Sequence, residues 1–160
     1  MSDEERQGLL SYGELLSHLL FHRDIKTTDE AEKFLNPSYE RDLHDPFLIL
    51  NMGRVVDRIL RAISQGEKIV VYGDYDCDGI PGSVILHDFF KKVGYTNFYV
   101  YIPHRHMEGY GLNTKAIEKF AVDGVRLIIT VDNGITDVAP VDRANQLSID
   151  VIITDHHLPQ

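Results

Sequence analysis

Acidic and imidazole side chains form three clusters in this chain of 160 residues. The clusters are residues 74–79, Asp-Tyr-Asp-Cys-Asp-Gly, residues 132–134, Asp-Asn-Gly, and residues 155–157, Asp-His-His. In the first cluster carboxylates alternate with other residues, so an extended backbone would place all three on one face. Like charges on one face are unfavourable without a cation. Oxygen and imidazole ligands suit Mn²⁺, Mg²⁺ or Zn²⁺, and the excess of carboxylates favours the harder ions.

Other interpretations of these clusters are weaker. Each cluster alone is also typical of a solvated turn, but three such clusters at separate strand ends favour a metal site. An EF-hand loop requires a Glu at its twelfth position, which Ile85 occupies here, and a helix before the loop where this chain has a predicted strand. A phosphate-binding glycine loop is weaker still, because Gly79 and Gly82 match neither the dinucleotide pattern nor the Gly-Lys-Ser/Thr ending.

The elements that position these clusters are short β-branched runs alternating with helical segments. This alternation predicts an α/β fold with a parallel, doubly wound sheet and right-handed crossovers. Residues just past the carboxyl ends of parallel strands gather at one edge, where ligands bind, and the three clusters follow the first, third and fourth strands. The predicted strands are residues 68–73, 97–102, 126–131 and 149–154, and the predicted helices between them are residues 81–93, 113–122 and 135–147.

Before Gly66 the pattern is helical. Thr27 and Glu30 form a capping-box signature, and Pro37 ends the helix that follows it. An apolar stripe along residues 52–64 predicts a helix that packs against the sheet. We therefore divide the chain into a small helical segment, residues 1–66, and an α/β part, residues 67–160.

Composition limits the classes of function. The chain carries 16 basic and 25 acidic residues, a net charge of -9, which argues against general coating of a polyanion, so any contact with nucleic acid is expected to be local. The single cysteine, Cys77, cannot form an intrachain disulfide and suits a reducing compartment. The amino terminus is acidic, unlike a signal peptide, and no apolar run reaches the ~18 residues of a membrane span. We predict a cytoplasmic protein without membrane contact.

Three motifs resemble those of the DHH phosphoesterase superfamily. They are residues 72–79, Tyr-Gly-Asp-Tyr-Asp-Cys-Asp-Gly, residues 131–135, Val-Asp-Asn-Gly-Ile, and residues 154–157, Thr-Asp-His-His. The resemblance extends to residues 34–37, 45–46 and 102–112, and it is most marked for members that degrade single-stranded DNA from the 5′ end. It implies a phosphodiesterase with two Mn²⁺ or Mg²⁺ ions that releases mononucleotides in DNA repair and recombination.

The resemblance also implies roles for individual residues. One metal ion each would bind Asp76 and Asp78, and Asp132 would bridge the two ions. Asp74 either binds a metal ion itself or accepts a hydrogen bond from a residue that does. The candidate metal ligands are Asp74, Asp76, Asp78, Asp132, Asp155 and His156, and the candidate catalytic residues are Asp132, His156 and His157.

Two of these residues are also expected to orient ligands or contact the phosphate, namely Asp155 and His157. Arg105 would hold a DNA phosphate, with Tyr110 or Glu108 helping to shape the site. The candidate nucleic-acid contacts are therefore Arg105 and His157. Beyond single-stranded DNA, the partner classes to consider are a single-strand-binding protein and a helicase.

The superfamily continues past its third motif with a fourth motif and a second domain, whereas this sequence ends three residues after His157. We therefore expect residues 67–160 to form a partial DHH domain, with weak or absent nuclease activity of the chain alone. Two alternatives stay open. One is a phosphodiesterase acting on nanoRNA or cyclic dinucleotides, which residues 102–112 and the amino-terminal helices disfavour. The other is a non-catalytic binding module, which the intact acidic and histidine motifs disfavour.

Overall fold

The computed structural model describes residues 9–159. The chain forms two compact units, of which the first ends at Leu50 and the second begins at Asn51. The acidic amino terminus discussed above, residues 1–8, lies outside the described residues. None of the helices in the described part is long and apolar enough to cross a membrane.

The first unit is helical, as predicted. Its helices are α1, Glu14–Phe21, α2, Thr28–Leu35, and α3, Tyr39–Asp42, with 3₁₀ turns at Leu10–Tyr12 and Pro46–Leu48. The predicted capping box begins α2: Glu30 N–H donates to Thr27 Oγ1 at 3.2 Å, and Thr27 N–H donates to Glu30 Oε2 at 3.0 Å. A small core of Leu9, Leu20 and Ala31 holds the unit together.

The second unit is a four-stranded parallel sheet flanked by helices, which confirms the predicted fold class. The strand order is β2-β1-β3-β4. In chain order the elements are α4 (Met52–Gln65), β1 (Lys68–Gly73), α5 (Gly79–Lys92), β2 (Phe98–Tyr101), α6 (Thr114–Val122), β3 (Val125–Val131), α7 (Val138–Gln146) and β4 (Asp150–Ile152).

Alternate residues of the strands bury two separate apolar cores, one on each face of the sheet. Ile69 and Val71 face the core that includes residues of α4 and α5. Val70 and Tyr72 face the opposite core, built with residues of α6 and α7. Because both faces are covered, the strands are apolar throughout, as is usual for parallel sheets.

The strand order places a topological switch point at the centre of the sheet. The chain runs from β1 outward to β2 and then returns to β3 on the other side of β1. Connections leave β1 and β3 in opposite directions, so a crevice opens between their carboxyl ends. The buried Asn133 amide ties these two ends together, since Nδ2 donates to the carbonyl oxygens of Tyr72 at 3.3 Å and Val131 at 2.9 Å.

Helix α4 belongs to the compact unit of the sheet, although the sequence pattern changes only at Gly66. Its apolar stripe packs on the sheet as predicted. Arg58 of this helix donates to Glu67 at 2.6 Å, to the carbonyl oxygen of Arg126 at 3.1 Å and to Asp150 at the start of β4. Residue contacts place the boundary between the two units after Leu50, whereas the change from helical to alternating pattern lies at Gly66. The two differ because a sequence pattern shows where the type of element changes and not which elements pack together.

Two predicted elements exceed the observed ones by more than two residues. The helix predicted from residue 135 begins at Val138, because Gly134 has a φ of +107° and Asp137 N–H closes a turn on its carbonyl oxygen. The strand predicted to residue 154 ends at Ile152. Beyond it, Thr154 N–H donates to the side-chain hydroxyl of Thr130 at 3.2 Å, where a longer strand would donate to a backbone carbonyl oxygen of β3.

Truncating a buried ring tests the assignment of the core. Phe120 is 1% exposed and its ring contacts Tyr72 and Tyr101. We expect Phe120→Ala to lower the free energy of unfolding by about 3–5 kcal/mol in urea denaturation followed by circular dichroism. Val122→Ala, on the same helix at a residue that is 88% exposed, is the control and should change it by less than about 0.5 kcal/mol. Equal losses in the two variants would contradict this core.

Candidate metal centre

Backbone hydrogen bonds bring the ends of three strands together. Asp74, the first residue after β1, donates its N–H to the carbonyl oxygen of Val131 at 3.2 Å. Asp132, the first residue after β3, donates its N–H to the carbonyl oxygen of Thr154 at 2.9 Å. The three clusters seen in the sequence therefore meet at one edge of the sheet, and the cleft there is lined by Asp78, Val131, Asp132, Thr154, Asp155 and His156.

Carboxylates of the first two strand ends form one candidate metal site. One oxygen from each of Asp74, Asp76 and Asp132 lies within 4.8 Å of the others. Asp74 is only 3% exposed, and its Oδ1 has no hydrogen-bond partner. Burial raises the pKa of Asp74, and the nearby charge of Asp76 adds to this effect. A buried carboxylate oxygen without a partner, beside two further carboxylates, suits a hard divalent cation.

Asp132 also belongs to a second candidate site, with His156 and His157. One atom from each of these three residues again lies within 4.8 Å of the others. His156 Nε2 is 3.0 Å from Asp132 Oδ1 and 3.6 Å from Asp78 Oδ2. The two candidate sites therefore share the Asp132 carboxylate, and Asp78 lies on the side of His156.

Asp132 has an uncommon backbone conformation for a residue with a side chain. Its φ is +64°, in the left-handed region, and it is 8% exposed. Burial raises the pKa of its carboxyl group, and the charges of Asp78 and Asp76 raise it further. A cation between these carboxylates would relieve both the burial of charge and the repulsion.

Residues 74–78 do not form the extended segment that the alternation of carboxylates indicated. The chain turns here because Asp76 Oδ1 accepts hydrogen bonds from the N–H groups of Gly79 at 3.0 Å and Asp78 at 3.3 Å, at the start of α5. The hydrogen bond from Gly79 is the main cause of a lowered pKa of Asp76. As a result Asp74 and Asp76 face one candidate site, whereas Asp78 faces His156.

Asp155 orients its neighbours with both carboxylate oxygens. Oδ2 accepts from Ile135 N–H at 3.0 Å, and Oδ1 contacts both the N–H and Nδ1 of His157, at 3.1 and 2.7 Å. Burial acts to raise the pKa of Asp155, but these hydrogen bonds outweigh it and the pKa lies below its ordinary value. The same contact raises the pKa of His157. In its neutral form the ring carries its proton on Nδ1, toward Asp155, and in its imidazolium form both nitrogens carry a proton.

Arg105 lies in the loop between β2 and α6, beside the centre. Its guanidinium stacks on the ring of Tyr75 at 4.9 Å, and its charge acts to lower the pKa of Asp74 against the effect of burial. Glu108, by contrast, braces the loop: it accepts from the Tyr101 hydroxyl and from His104 N–H at 2.8 Å. Arg105 is therefore placed beside the candidate metal sites, whereas the Glu108 carboxylate is occupied within its own loop.

Tyr110, in the same loop, reaches the centre directly. Its hydroxyl donates to the carbonyl oxygen of Asp132 at 3.0 Å and lies 3.2 Å from His157 Nδ1. Burial, and then the charge of Asp155, raise the pKa of Tyr110 to about 12, so the hydroxyl keeps its proton.

Sequence reasoning missed several residues that hold the centre in place. Asp137 Oδ2 accepts a hydrogen bond from Leu112 N–H at 2.6 Å and so fixes the end of the loop between β2 and α6, which carries Arg105. Gly111, at a φ of +84°, makes this approach possible, because a Cβ there would lie 2.7 Å from that oxygen. Spacing gives no signal for such contacts, since the partners are far apart in the chain. The one sign of this turn in the sequence is the Gly-Tyr-Gly at residues 109–111, in which Gly111 has the positive φ.

The model of the DHH family, N-terminal domain, matches residues 68–160, more than half of the chain. The chain belongs to the DHH family. Its match covers all three clusters at the edge of the sheet.

Named relatives agree with this family. The chain is 46% identical over 146 residues to the single-stranded-DNA-specific exonuclease RecJ of Bacillus subtilis (strain 168), a match that covers 91% of this chain and 18% of the relative. A crystal structure of exonuclease RecJ bound to manganese superposes with a TM-score of 0.62 at 36% identity, covering 67% of this chain and 27% of the other. RecJ of Thermus thermophilus in complex with Mn²⁺ gives a TM-score of 0.67 at 24% identity over 98% of this DHH-family chain and 21% of the other, and shows the fold alone.

Adding a methyl group at Gly79 tests the packing behind Asp74. A Cβ there would lie 2.7 Å from Asp74 Cβ and 2.8 Å from its carbonyl oxygen, so Asp74 must move. We expect Gly79→Ala to weaken Mn²⁺ binding about 10-fold, measured by calorimetry. Gly53→Ala in α4, where nothing lies within 4 Å, is the control and should bind Mn²⁺ like the parent chain. Unchanged affinity in both variants would mean that Asp74 does not hold the ion.

The pairing of Asp155 with His157 predicts a pH dependence in the metal-free chain. The pKa of His157, followed by NMR, should lie above its ordinary value of 6.5 and should fall in Asp155→Asn. A raised pKa in the folded chain stabilises it below the unfolded pKa, and the contribution is lost as pH rises through the folded pKa. The difference in unfolding free energy between parent and Asp155→Asn should therefore shrink above that pH. The same His157 pKa in both proteins would show that the pair does not form.

Proposed function

We propose that this chain supplies the metal-binding part of a single-stranded-DNA 5′ exonuclease that hydrolyses phosphodiester bonds with two Mn²⁺ or Mg²⁺ ions. The observation that carries the proposal is the pair of ligand clusters that share the Asp132 carboxylate. Two divalent ions joined by one carboxylate can activate a water molecule and stabilise both the attacking and the leaving oxygen of a phosphodiester.

The donor atoms fit hard divalent ions. One ion would bind Asp74, Asp76 and Asp132, and the other would bind Asp132 and His156, with Asp78 within reach. The Asp74 oxygen that lacks a hydrogen-bond partner supports this assignment, because a buried charged group without a partner is costly. Asp155 is assigned to the orientation of His157, since both of its oxygens already accept hydrogen bonds.

The substrate class rests on local positive charge and on the relatives. Arg105, stacked on Tyr75, is placed to hold a phosphate beside the ions, and a His157 ring protonated on both nitrogens can donate to another phosphate oxygen. The chain is similar over most of its length to RecJ, named as specific for single-stranded DNA. Release of mononucleotides in DNA repair and recombination is part of this proposal. A cytoplasmic location and contact with a single-strand-binding protein or a helicase stay predictions.

The test compares metal binding and digestion in matched variants. Mn²⁺ binding to the chain is measured by calorimetry, and digestion of 5′-phosphorylated single-stranded DNA is followed on a gel with Mn²⁺ or without metal. We expect Asp132→Asn to weaken Mn²⁺ binding at least about 10-fold and to abolish any release of nucleotides. Asp142→Asn, an exposed carboxylate on α7 outside both clusters, makes the same change of charge and should behave like the parent.

The chain spans 18% of the length of the Bacillus subtilis relative, so Mn²⁺ binding is the primary readout and digestion the second. Equal Mn²⁺ affinity of Asp132→Asn and the parent would contradict the shared site. Faster hydrolysis of short RNA or of a cyclic dinucleotide than of long single-stranded DNA would contradict the proposed substrate. Mn²⁺ binding with little or no hydrolysis by the chain alone agrees with the expected weak activity of a partial DHH domain, and the affinity of Asp132→Asn then decides whether the shared site exists.

A further inference from the structure

Tyr110 connects the loop between β2 and α6 to both candidate metal sites. Its hydroxyl donates to the carbonyl oxygen of Asp132, the residue that the two sites share, at 3.0 Å. The same oxygen lies 3.2 Å from Nδ1 of His157, and the two rings meet edge to face with centroids 5.9 Å apart. One side chain thus contacts the backbone of the shared ligand Asp132 and the ring of His157, the candidate phosphate contact.

The backbone of Asp132 needs such support. A residue with a side chain is uncommon in the left-handed region, and it persists there only where its surroundings hold it. Both backbone polar groups of Asp132 are held: the N–H by the Thr154 carbonyl oxygen and the carbonyl oxygen by the Tyr110 hydroxyl. Without the hydroxyl one of these two constraints disappears.

We infer that Tyr110 is a positioning residue for the metal centre, which holds the Asp132 backbone and the His157 ring so that one carboxylate serves both ions. This inference rests on the proposed function, because it assigns a role within that same site. It concerns the Tyr110 hydroxyl, which contacts Asp132 and His157 and would act through them.

The loop that carries Tyr110 is fixed by contacts that do not involve its hydroxyl. The buried Tyr72 hydroxyl donates to the carbonyl oxygen of Gly111 at 2.9 Å, and Leu112 N–H donates to Asp137. The Tyr101 hydroxyl donates to Glu108 in the same loop. A Phe at position 110 would therefore keep the ring in place and remove only the link to Asp132 and His157.

The experiment compares Tyr110→Phe with Tyr101→Phe in the full chain. Each variant loses one tyrosine hydroxyl. The Tyr101 hydroxyl bonds to Glu108 in the loop, whereas the Tyr110 hydroxyl bonds to Asp132 in the metal centre, so only Tyr110→Phe loses a contact with the centre. Three readouts are followed: hydrogen exchange of the Asp132 amide by NMR without metal, Mn²⁺ affinity by calorimetry, and kcat and KM on single-stranded DNA.

For Tyr110→Phe we expect faster exchange of the Asp132 amide with unchanged protection in the strands, and Mn²⁺ binding about 10-fold weaker than in the parent. Where the chain cleaves DNA, kcat should fall and KM should change little, because the hydroxyl does not contact the substrate. Tyr101→Phe should leave the Asp132 amide and Mn²⁺ affinity as in the parent.

Parent-like exchange of Asp132 and parent-like Mn²⁺ affinity in Tyr110→Phe would overturn the inference. It would also be overturned if Tyr101→Phe reproduced the same losses, since Tyr110 would then act only as a loop anchor. If the parent chain neither binds Mn²⁺ nor cleaves DNA, the proposed function fails. The exchange of the Asp132 amide then decides alone whether Tyr110 positions that residue.

Discussion

Backbone hydrogen bonds between neighbouring strand ends hold the candidate metal centre together. The bond from Asp74 to Val131 joins the residue after β1 to the last residue of β3, and the bond from Asp132 to Thr154 joins the residue after β3 to a residue two positions past β4. Because β3 is paired on both sides, the residue that follows it lies between the other two clusters. A shift of one residue in this register would turn every following side chain to the opposite face. The shared position of Asp132 is thus a direct consequence of the order β1-β3-β4.

The same arrangement concentrates negative charge in a partly buried cleft. Burial and mutual repulsion raise the pKa of Asp74 and of Asp132, which means that the metal-free fold holds these carboxylates at a cost. Hydrogen bonds at the start of α5 lower the pKa of Asp76 and offset part of this cost. A divalent ion would remove the remaining repulsion, so metal binding and folding stability are linked in this unit.

Local patterns in the sequence predicted the sheet and the meeting of the three clusters. The bounds of β1 and the presence of the three crossover helices follow from local residue patterns, and the meeting of strand ends follows from parallel topology alone. The condition that residues 74–78 are extended does not hold, and the alternation of residue types could not show this because it carries no information on the hydrogen bond from Gly79 N–H to Asp76. The reach of Tyr110 to Asp132 depends on a loop folded back by contacts with Gly111 and Leu112, and no spacing in the sequence reports it.

Under the proposed function, the charge of the cleft orders the events at the centre. A DNA phosphate brought near Asp74, Asp76 and Asp132 would be repelled by their charges, and the stacked guanidinium of Arg105 balances only one of them. Two divalent ions would offset this negative charge, so a phosphate would be attracted more strongly to the metal-loaded centre than to the metal-free one. With a net charge of -9 the rest of the surface would attract nucleic acid little, so under this proposal its contact with the chain is expected near the metal centre.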